Sequence, residues 1–442
     1  MNDRASLEAL AAQVLAWARA AGAAEAVVVA SRSSETQLQR RDGRVEQASE
    51  AVSRGLGLSL LVDDRWTSNG TSDLRPEALA AFVRRSVEVA RVLEPDPDRR
   101  LPDPSACGRG ASEAALDLCD PVVATRTVDD RAAAAEALEA AIAARPAGEV
   151  VSASAWVAEG HSRHVRLTST GFSDATAGGW FGWGGGTTLR DGERRPEAAT
   201  GFSARYLVDL PSADAVADDL HRQAVERLGA GPMASGTYPL VVQNRVAGRI
   251  LGLLAGPLSG AALHDGRSCL HDKLDAVIGS SLLTIEDDPL LPRGLSSHPW
   301  DGDGLRAAPR TVVEGGVLRS FYLSTYYSRK LGRPATTGGR SNWSVPPGPQ
   351  PLAETLAALP GAVLVTGFLG GNANPATGDF SFGIRGVWLE RGAVVRPLSE
   401  MNLSGNLLTL FPRLVALGDD PWRWSSVRAP SLVFDAAQFS GR

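Results

Sequence analysis

The chain predicts an α+β protein: an N-terminal α/β portion of β-meanders packed with helices, then a C-terminal antiparallel β sheet or barrel-like domain with one inserted helix. Three observations carry this expectation. Residues 5–91 and 128–228 each read as a helix, several short strands and a helix. From Gly236 onward, β-prone runs are separated by glycine-rich turns. Glycine itself is abundant, at 47 of 442 residues against a usual frequency near ~7%, and supplies the turns that a strand-rich chain needs. At roughly 150 residues per domain the length fits two or three units, expected at 1–95, 105–230 and 234–442.

Residues 5–21 place Leu7, Leu10, Ala11, Val14, Leu15 and Ala18 at helical spacing. Short strands are expected at 26–31, 35–41, 44–49 and 57–62, and Asp42-Gly43 is a strong two-residue hairpin turn. A helix follows with Asp73 or Ser72 as its cap and Pro76 in its first turn. Residues 94–104 (EPDPDRRLPDP) hold too much proline and charge for regular structure and suit a connection. A second helix at 128–144, strands at 149–158, 163–168 and 187–190, and a third helix at 212–228 repeat the plan. In the C-terminal part strands are expected at 238–242, 282–285, 310–314, 317–322, 363–368, 384–390, 394–397 and 431–434, with hairpin turns at Gly315-Gly316 and Arg391-Gly392. Residues 246–262 read as the one long helical insertion.

Composition narrows the function classes. With 43% apolar and 21% charged residues the chain is globular in type. A net charge of −5 argues against direct nucleic-acid binding, which needs a basic surface to displace counterions. The three cysteines, Cys107, Cys119 and Cys269, have no CxxC spacing and suggest a reducing cytoplasm. Asp3, Arg4, Glu8 and Arg19 interrupt any leader-like apolar run, and the apolar stretch 250–262 is too short to span a membrane, so neither export by that route nor membrane insertion is expected.

Few motifs bear chemistry. The glycine cluster 178–186 lacks the helix start and Lys-Ser/Thr of a phosphate loop, so a flexible loop or strand bend is the plainer reading. His264, Cys269 and His271 in HDGRSCLH offer nitrogen and sulfur donors for zinc at a spacing that matches no standard finger, and a polar loop is the plainer reading. Asp287, Asp288, Asp301, Asp303, Asp379 and Glu400 are carboxylates able to share acid and base roles, although Asp-Asp-Pro and Asp-Gly-Asp-Gly are also ordinary turn chemistry.

Several separated segments resemble the PmbA/TldD family, the so-called modulators of DNA gyrase: 41–58 (RDGRVEQASEAVSRGLGL), 287–304, 310–332, 377–392 (TGDFSFGIRGVWLERG) and 399–407 (SEMNLSGNL). The resemblance implies an N-terminal α/β portion and a C-terminal β portion. In the TldD branch the latter carries a zinc peptidase site, with His-Glu-x-x-x-His on the helix after the first C-terminal strand and a cysteine near the C-terminus. Two imidazoles and a thiolate would leave one zinc position for water, with the glutamate as general base. Aligned on that helix, this sequence has Gly252, Leu253 and Pro257 at the three motif positions, and no cysteine follows Cys269. Its wording resembles the PmbA (TldE) branch, which lacks the ligands. Ser324 stands where that branch often has aspartate.

The function implied is that of a non-catalytic partner subunit of a heteromeric TldD/TldE-type metallopeptidase acting on unfolded or short peptides. It would close the chamber around a zinc held by the partner, a metal-bearing paralogue. No cofactor is expected in this chain, and a homodimer is possible without the paralogue. The alternatives are a hydrolase with its own divergent site, built on His264, Cys269 and His271 or on Asp287, Asp379 and Glu400, and a regulatory binding protein of a DNA-acting enzyme. Phe321, Tyr322, Tyr326 and Trp388 are candidate interface anchors, although burial in the chain's own core is the plainer reading of any single one.

Overall fold

The computed structural model describes residues 3–145 and 148–441. Helix α1 (Asp3–Ala20) leads into strands β1 (Glu25–Arg41), β2 (Arg44–Val62) and β3 (Arg65–Thr71), and then helix α2 (Pro76–Arg91). After the one-turn helix α3 (Glu113–Leu116) the plan repeats as α4 (Val128–Ala143), β4 (Glu149–Thr168), β5 (Ser173–Arg190), β6 (Glu197–Ala204) and α5 (Ala213–Val225). Antiparallel pairing of β1 with β4, from Val27↔Thr168 to Arg41↔Ser154, fuses both sets into one six-stranded sheet of order β3-β2-β1-β4-β5-β6.

Strand alternation decides what the helices cover. Val28, Ala30, Leu58, Leu60 and Val165 form one core with Ala11, Val14, Leu79 and Val83 of α1 and α2. Ala155, Leu189 and Phe202 form another with Leu138 and Ile142 of α4 and Val216 and Leu220 of α5. Positions one residue away, among them Val27, Val29, Ser59 and Arg166, belong to the opposite face of the sheet.

The C-terminal part contains β7 (Gly236–Val242), α6 (Asn244–Leu251), α7 (Gly260–His264), β8 (Ile285–Asp287), β9 (Arg310–Glu314), β10 (Val317–Leu318), α8 (Thr325–Leu331), β11 (Trp343–Ser344), α9 (Leu352–Ala358), β12 (Ala362–Ala373), β13 (Asp379–Glu390), β14 (Ala393–Asn406), α10 (Leu407–Leu410), β15 (Leu414–Leu417), β16 (Val427–Arg428) and β17 (Leu432–Ser440). Strands β14-β13-β12-β7-β17 form a ring that closes where Leu403 of β14 faces Phe439 of β17, and β15 adds to β17. Full closure removes sheet edges. Most pairings are antiparallel, while β7–β12 and β11–β16 run parallel. The ring is filled by Leu240, Val363, Phe382, Leu403, Phe434 and Phe439, within the largest apolar cluster of the described residues.

Several local expectations change. The strands expected at 149–158 and 163–168 are one strand, and the glycine run 178–186 is neither loop nor bend but the middle of β5, paired with β4 throughout and with β6 from Phe181 onward. Flanking β4 and β6 supply hydrogen bonds that outweigh glycine's weak strand preference. Helix α2 begins at Pro76 with Arg75 as its cap residue, and Asp73 instead folds back on Arg75, accepting from its backbone N–H at 3.2 Å. The single helix expected over 246–262 is three pieces: α6, a 3₁₀ turn at Gly252–Leu254 and α7, which Ser259 caps. Pro257 cannot donate in a helix and its ring would crowd the carbonyl four residues back, so the helix ends before it.

The proline-rich connection is irregular, as expected, yet it is held in place. Arg329 on α8 donates to the carbonyls of Asp98 (3.0 Å), Arg100 (2.7 Å) and Leu101 (2.8 Å). Tyr326 donates to Asp96 at 2.8 Å, and Lys330 pairs with Asp96 and Asp98 at 3.0 and 3.1 Å.

Candidate functional site

The segment after β7 is where the family's metal motif would lie. Gly252 opens the 3₁₀ turn, and a Cβ added there would meet nothing within 4 Å. Leu253 belongs to the barrel's apolar cluster. Pro257 is buried, and its carbonyl accepts from Ser268 Oγ at 2.6 Å. Hydrogen, isobutyl and pyrrolidine groups carry no lone pair, so these positions do not fit a metal.

The divergent-site alternatives are likewise not assembled. His264 is exposed at the end of α7 with its ring 6.2 Å from that of Tyr327, and His271 is exposed in the following turns. Cys269 is half-buried against the barrel cluster, and burial pushes its thiol up. Among the described residues no three His, Cys, Asp or Glu side chains converge on one point able to hold a metal. The carboxylates are also apart. Asp287 is buried and accepts from Tyr322 Oη at 2.8 Å and from Ser341 N at 2.9 Å, which makes it a structural hub. Asp379 accepts from Asn406 Nδ2 at 2.8 Å, and that bond holds its pKa below the ordinary value. Glu400, on β14, lines a cavity of about 410 Å³ together with Arg194, Arg195, Arg227 and Arg385. Asp288 and Asp301 close turns, accepting from Leu290 N (2.8 Å) and from Asp303 N and Leu305 N (2.9 and 3.0 Å).

The aromatic candidates are engaged within the chain. Phe321 and Tyr322 are buried in the barrel-side core, Trp388 packs edge-on against Tyr238 at 5.8 Å, and Tyr326 lies under the Arg99 guanidinium at 3.5 Å. Ser324 caps α8, accepting from Tyr327 N.

One cavity lies where the first sheet, the proline-rich connection and part of the C-terminal region meet, and sequence reasoning missed it. It measures about 430 Å³ and lies between the helix-free face of the first sheet, the connection at 99–102, the 302–303 turn and α8. Its walls include Val27, Val29, Ser59, Trp66, Arg166 and Asp303. Arg166 is only 9% exposed, and its Nε, like the Thr325 hydroxyl, has no hydrogen-bond partner among the described residues. Burial draws the pKa of Arg166 downward while Asp303 and Asp301 oppose that shift. Strand alternation around Val165 and Leu167 could have flagged an arginine on the opposite face, but not the C-terminal elements that cover it.

Comparison with known proteins gives consistent results. Residues 235–441 match the model of the PmbA/TldA metallopeptidase C-terminal domain, and residues 26–90 match that of PmbA/TldA metallopeptidase domain 1. The metalloprotease PmbA of Escherichia coli O157:H7 is 27% identical over 426 residues, covering 94% of this chain and 92% of that protein. A crystal structure from Bacteroides thetaiotaomicron, described as a modulator of DNA gyrase, superposes with a TM-score of 0.93 at 34% identity over 98% of both chains. TldE of Thermococcus kodakarensis shares the fold, with a TM-score of 0.84 at 17% identity over 98% of this chain and 100% of that one.

Proposed function

Because this chain belongs to the PmbA/TldD metallopeptidase family, we propose that it is a non-catalytic subunit that pairs with a metal-bearing paralogue to form a peptidase for unfolded or short peptides. The observation that carries this reading is the ligand-free trio Gly252, Leu253 and Pro257, set on a helix broken by the proline. A chain that keeps a peptidase fold without its ligands can still wall a chamber. Such a chamber excludes folded substrates by size and keeps the partner's zinc-bound nucleophile in a defined cavity.

A second feature supports association. The outer part of β2, Arg44 to Arg54, pairs with β1 but extends beyond β3, whose pairing starts at Leu56. It is exposed along its length, Val45 and Val52 at 53% each. A long strand edge of this kind is a template for another chain, and there the paralogue or an extended peptide can add as a strand. The three free cysteines fit a reducing cytoplasm, and no described helix is long and apolar enough to cross a membrane.

Purified alone, the chain should bind no stoichiometric zinc and should leave casein intact. Co-expressed with the paralogue, it should co-elute on size exclusion and give peptidase activity that neither chain shows alone. Full activity of the paralogue as a homomer, with no binding to this chain and no change of rate in its presence, would sink the reading. So would stoichiometric zinc on this chain that is lost in Cys269→Ala or His271→Ala.

A further inference from the structure

The cavity between the first sheet and α8 has the features of a ligand site. Its floor is the sheet itself, where Val27 and Val29 on β1 lie beside Ser59 and Gly57 on β2. Arg166 pairs directly with Val29 across β1 and β4, so its side chain rises from this same floor. Arg99 is stacked on Tyr326, and Arg100 is paired with Asp64 at 2.6 Å. Arg166 has neither a hydrogen bond nor an ion pair among the described residues, although it is nine-tenths buried. Asp303 and Asp301 attract it from beyond ion-pair distance. A buried guanidinium without a partner is costly, and a carboxylate matches its planar fork in two parallel bonds.

The opposite wall restricts the ligand further. Asp303 uses one carboxylate oxygen to accept from Thr325 N at 2.8 Å, and it lines the cavity together with the unpartnered Thr325 hydroxyl. A polyanion such as a phosphate ester would be repelled by Asp303, and a simple monocarboxylate would leave Asp303 without a cation. We propose that this cavity binds an α-amino-acid zwitterion, free or as a short peptide, with its carboxylate on Arg166 and its ammonium on Asp303. Trp66, Leu101 and Pro102 supply apolar surface for the side chain, and about 430 Å³ falls within the usual range of small-molecule sites. The assignment rests on the charges and shape of this cavity and holds whether or not the chain has a catalytic partner.

Isothermal titration calorimetry on the full chain tests it with leucine, Ala-Leu, N-acetyl-leucine, leucinamide and acetate. Saturable binding of one leucine or one Ala-Leu per chain is expected. Loss of either terminal charge, in N-acetyl-leucine or leucinamide, should weaken binding at least about tenfold, equivalent to ~1.4 kcal/mol. Tighter binding of Ala-Leu than of leucine would assign the site to peptides and the reverse to free amino acids. Arg166→Gln should weaken binding at least about tenfold. Because that change is buried, Ser68→Trp, which fills the cavity from the exposed strand β3, provides a second variant with the same expected loss. No saturable binding to the folded wild type would overturn the proposal, as would acetate or a capped analogue binding as tightly as the parent, or unchanged affinity in both folded variants.

Discussion

At the residue scale, the contacts that tie the N-terminal sheet layer to the C-terminal domain centre on single charged groups, and Asp117 shows how they respond to pH. Its carboxylate accepts from Tyr206 Oη and from Arg293 Nε, the latter at 2.7 Å, while Arg293 stacks over the Tyr206 ring at 3.6 Å. The Tyr206 hydrogen bond and then the arginine hold Asp117 below its ordinary pKa of 3.8. The same bond pushes the Tyr206 phenol up to about 12. A depressed carboxyl contributes stability that is present above its unfolded pKa and lost as pH falls through the folded value. Asp117→Asn should therefore lower stability near neutral pH and flatten the loss below pH 3.8, as followed by urea unfolding over a pH series. Both side chains are more than a third exposed, so the effect at neutral pH should stay under about 1 kcal/mol. A wild-type and variant difference that does not shrink on acidification would show that Asp117 acts by shape alone. None of this was legible in the sequence. Asp117 and Arg293 are far apart in the chain, and both adopt left-handed backbone that no local motif announced.

At the element scale, regular structure was legible wherever local pattern and tertiary demand agree. The Asp42-Gly43, Gly315-Gly316 and Arg391-Gly392 turns join β1 to β2, β9 to β10 and β13 to β14, because each supplies the positive φ that a tight hairpin needs. The glycine run in β5 defeated local reasoning because its cause is steric and distant. A Cβ at Gly184 would strike the Thr200 carbonyl of β6 first and then stand 2.9 Å from the Trp156 indole of β4, and one at Gly185 would strike Ile142 of α4 and stand 2.7 Å from the Ser154 carbonyl. These glycines make room for the backbone of the flanking strands, an aromatic ring and a helix. Gly184→Ala should thus destabilise by about 1–3 kcal/mol through overpacking, against the usual gain of removing a glycine. Gly252→Ala, in open space at a φ of −61°, should be neutral or slightly stabilising. Equal denaturation midpoints for the two variants would contradict this account of the run.

At the scale of the whole molecule, the family's motif positions could be read from the sequence, since absent ligands are visible as letters. The cavity could not, because its walls come from four strands, a connection and α8, which only the folded chain brings together. The connection is the part most exposed to test. Its composition suited a loose link, yet Arg329 binds three consecutive stretches of its backbone through the carbonyls of Asp98, Arg100 and Leu101, and Lys330 and Tyr326 hold Asp96. The Arg100–Leu101 bond is a trypsin site, and in this conformation its carbonyl and that of the following bond are both occupied by one guanidinium. Each hydrogen bond to a charged group is worth about 1.5–3 kcal/mol at most, and partial exposure reduces that, so Arg329→Met should lower the free energy of local opening by about 2 kcal/mol. When opening is fast relative to cleavage, proteolysis follows the open population, so trypsin should cut after Arg100 at least about tenfold faster in the variant. Mass spectrometry of early digests would show fragments ending at Arg100 and beginning at Leu101, while the thermal midpoint moves by only a few degrees because the apolar cores are untouched. Unchanged cleavage after Arg100 would mean that the connection is secured by Asp96 and its partners, with the Arg329 clamp contributing nothing to it.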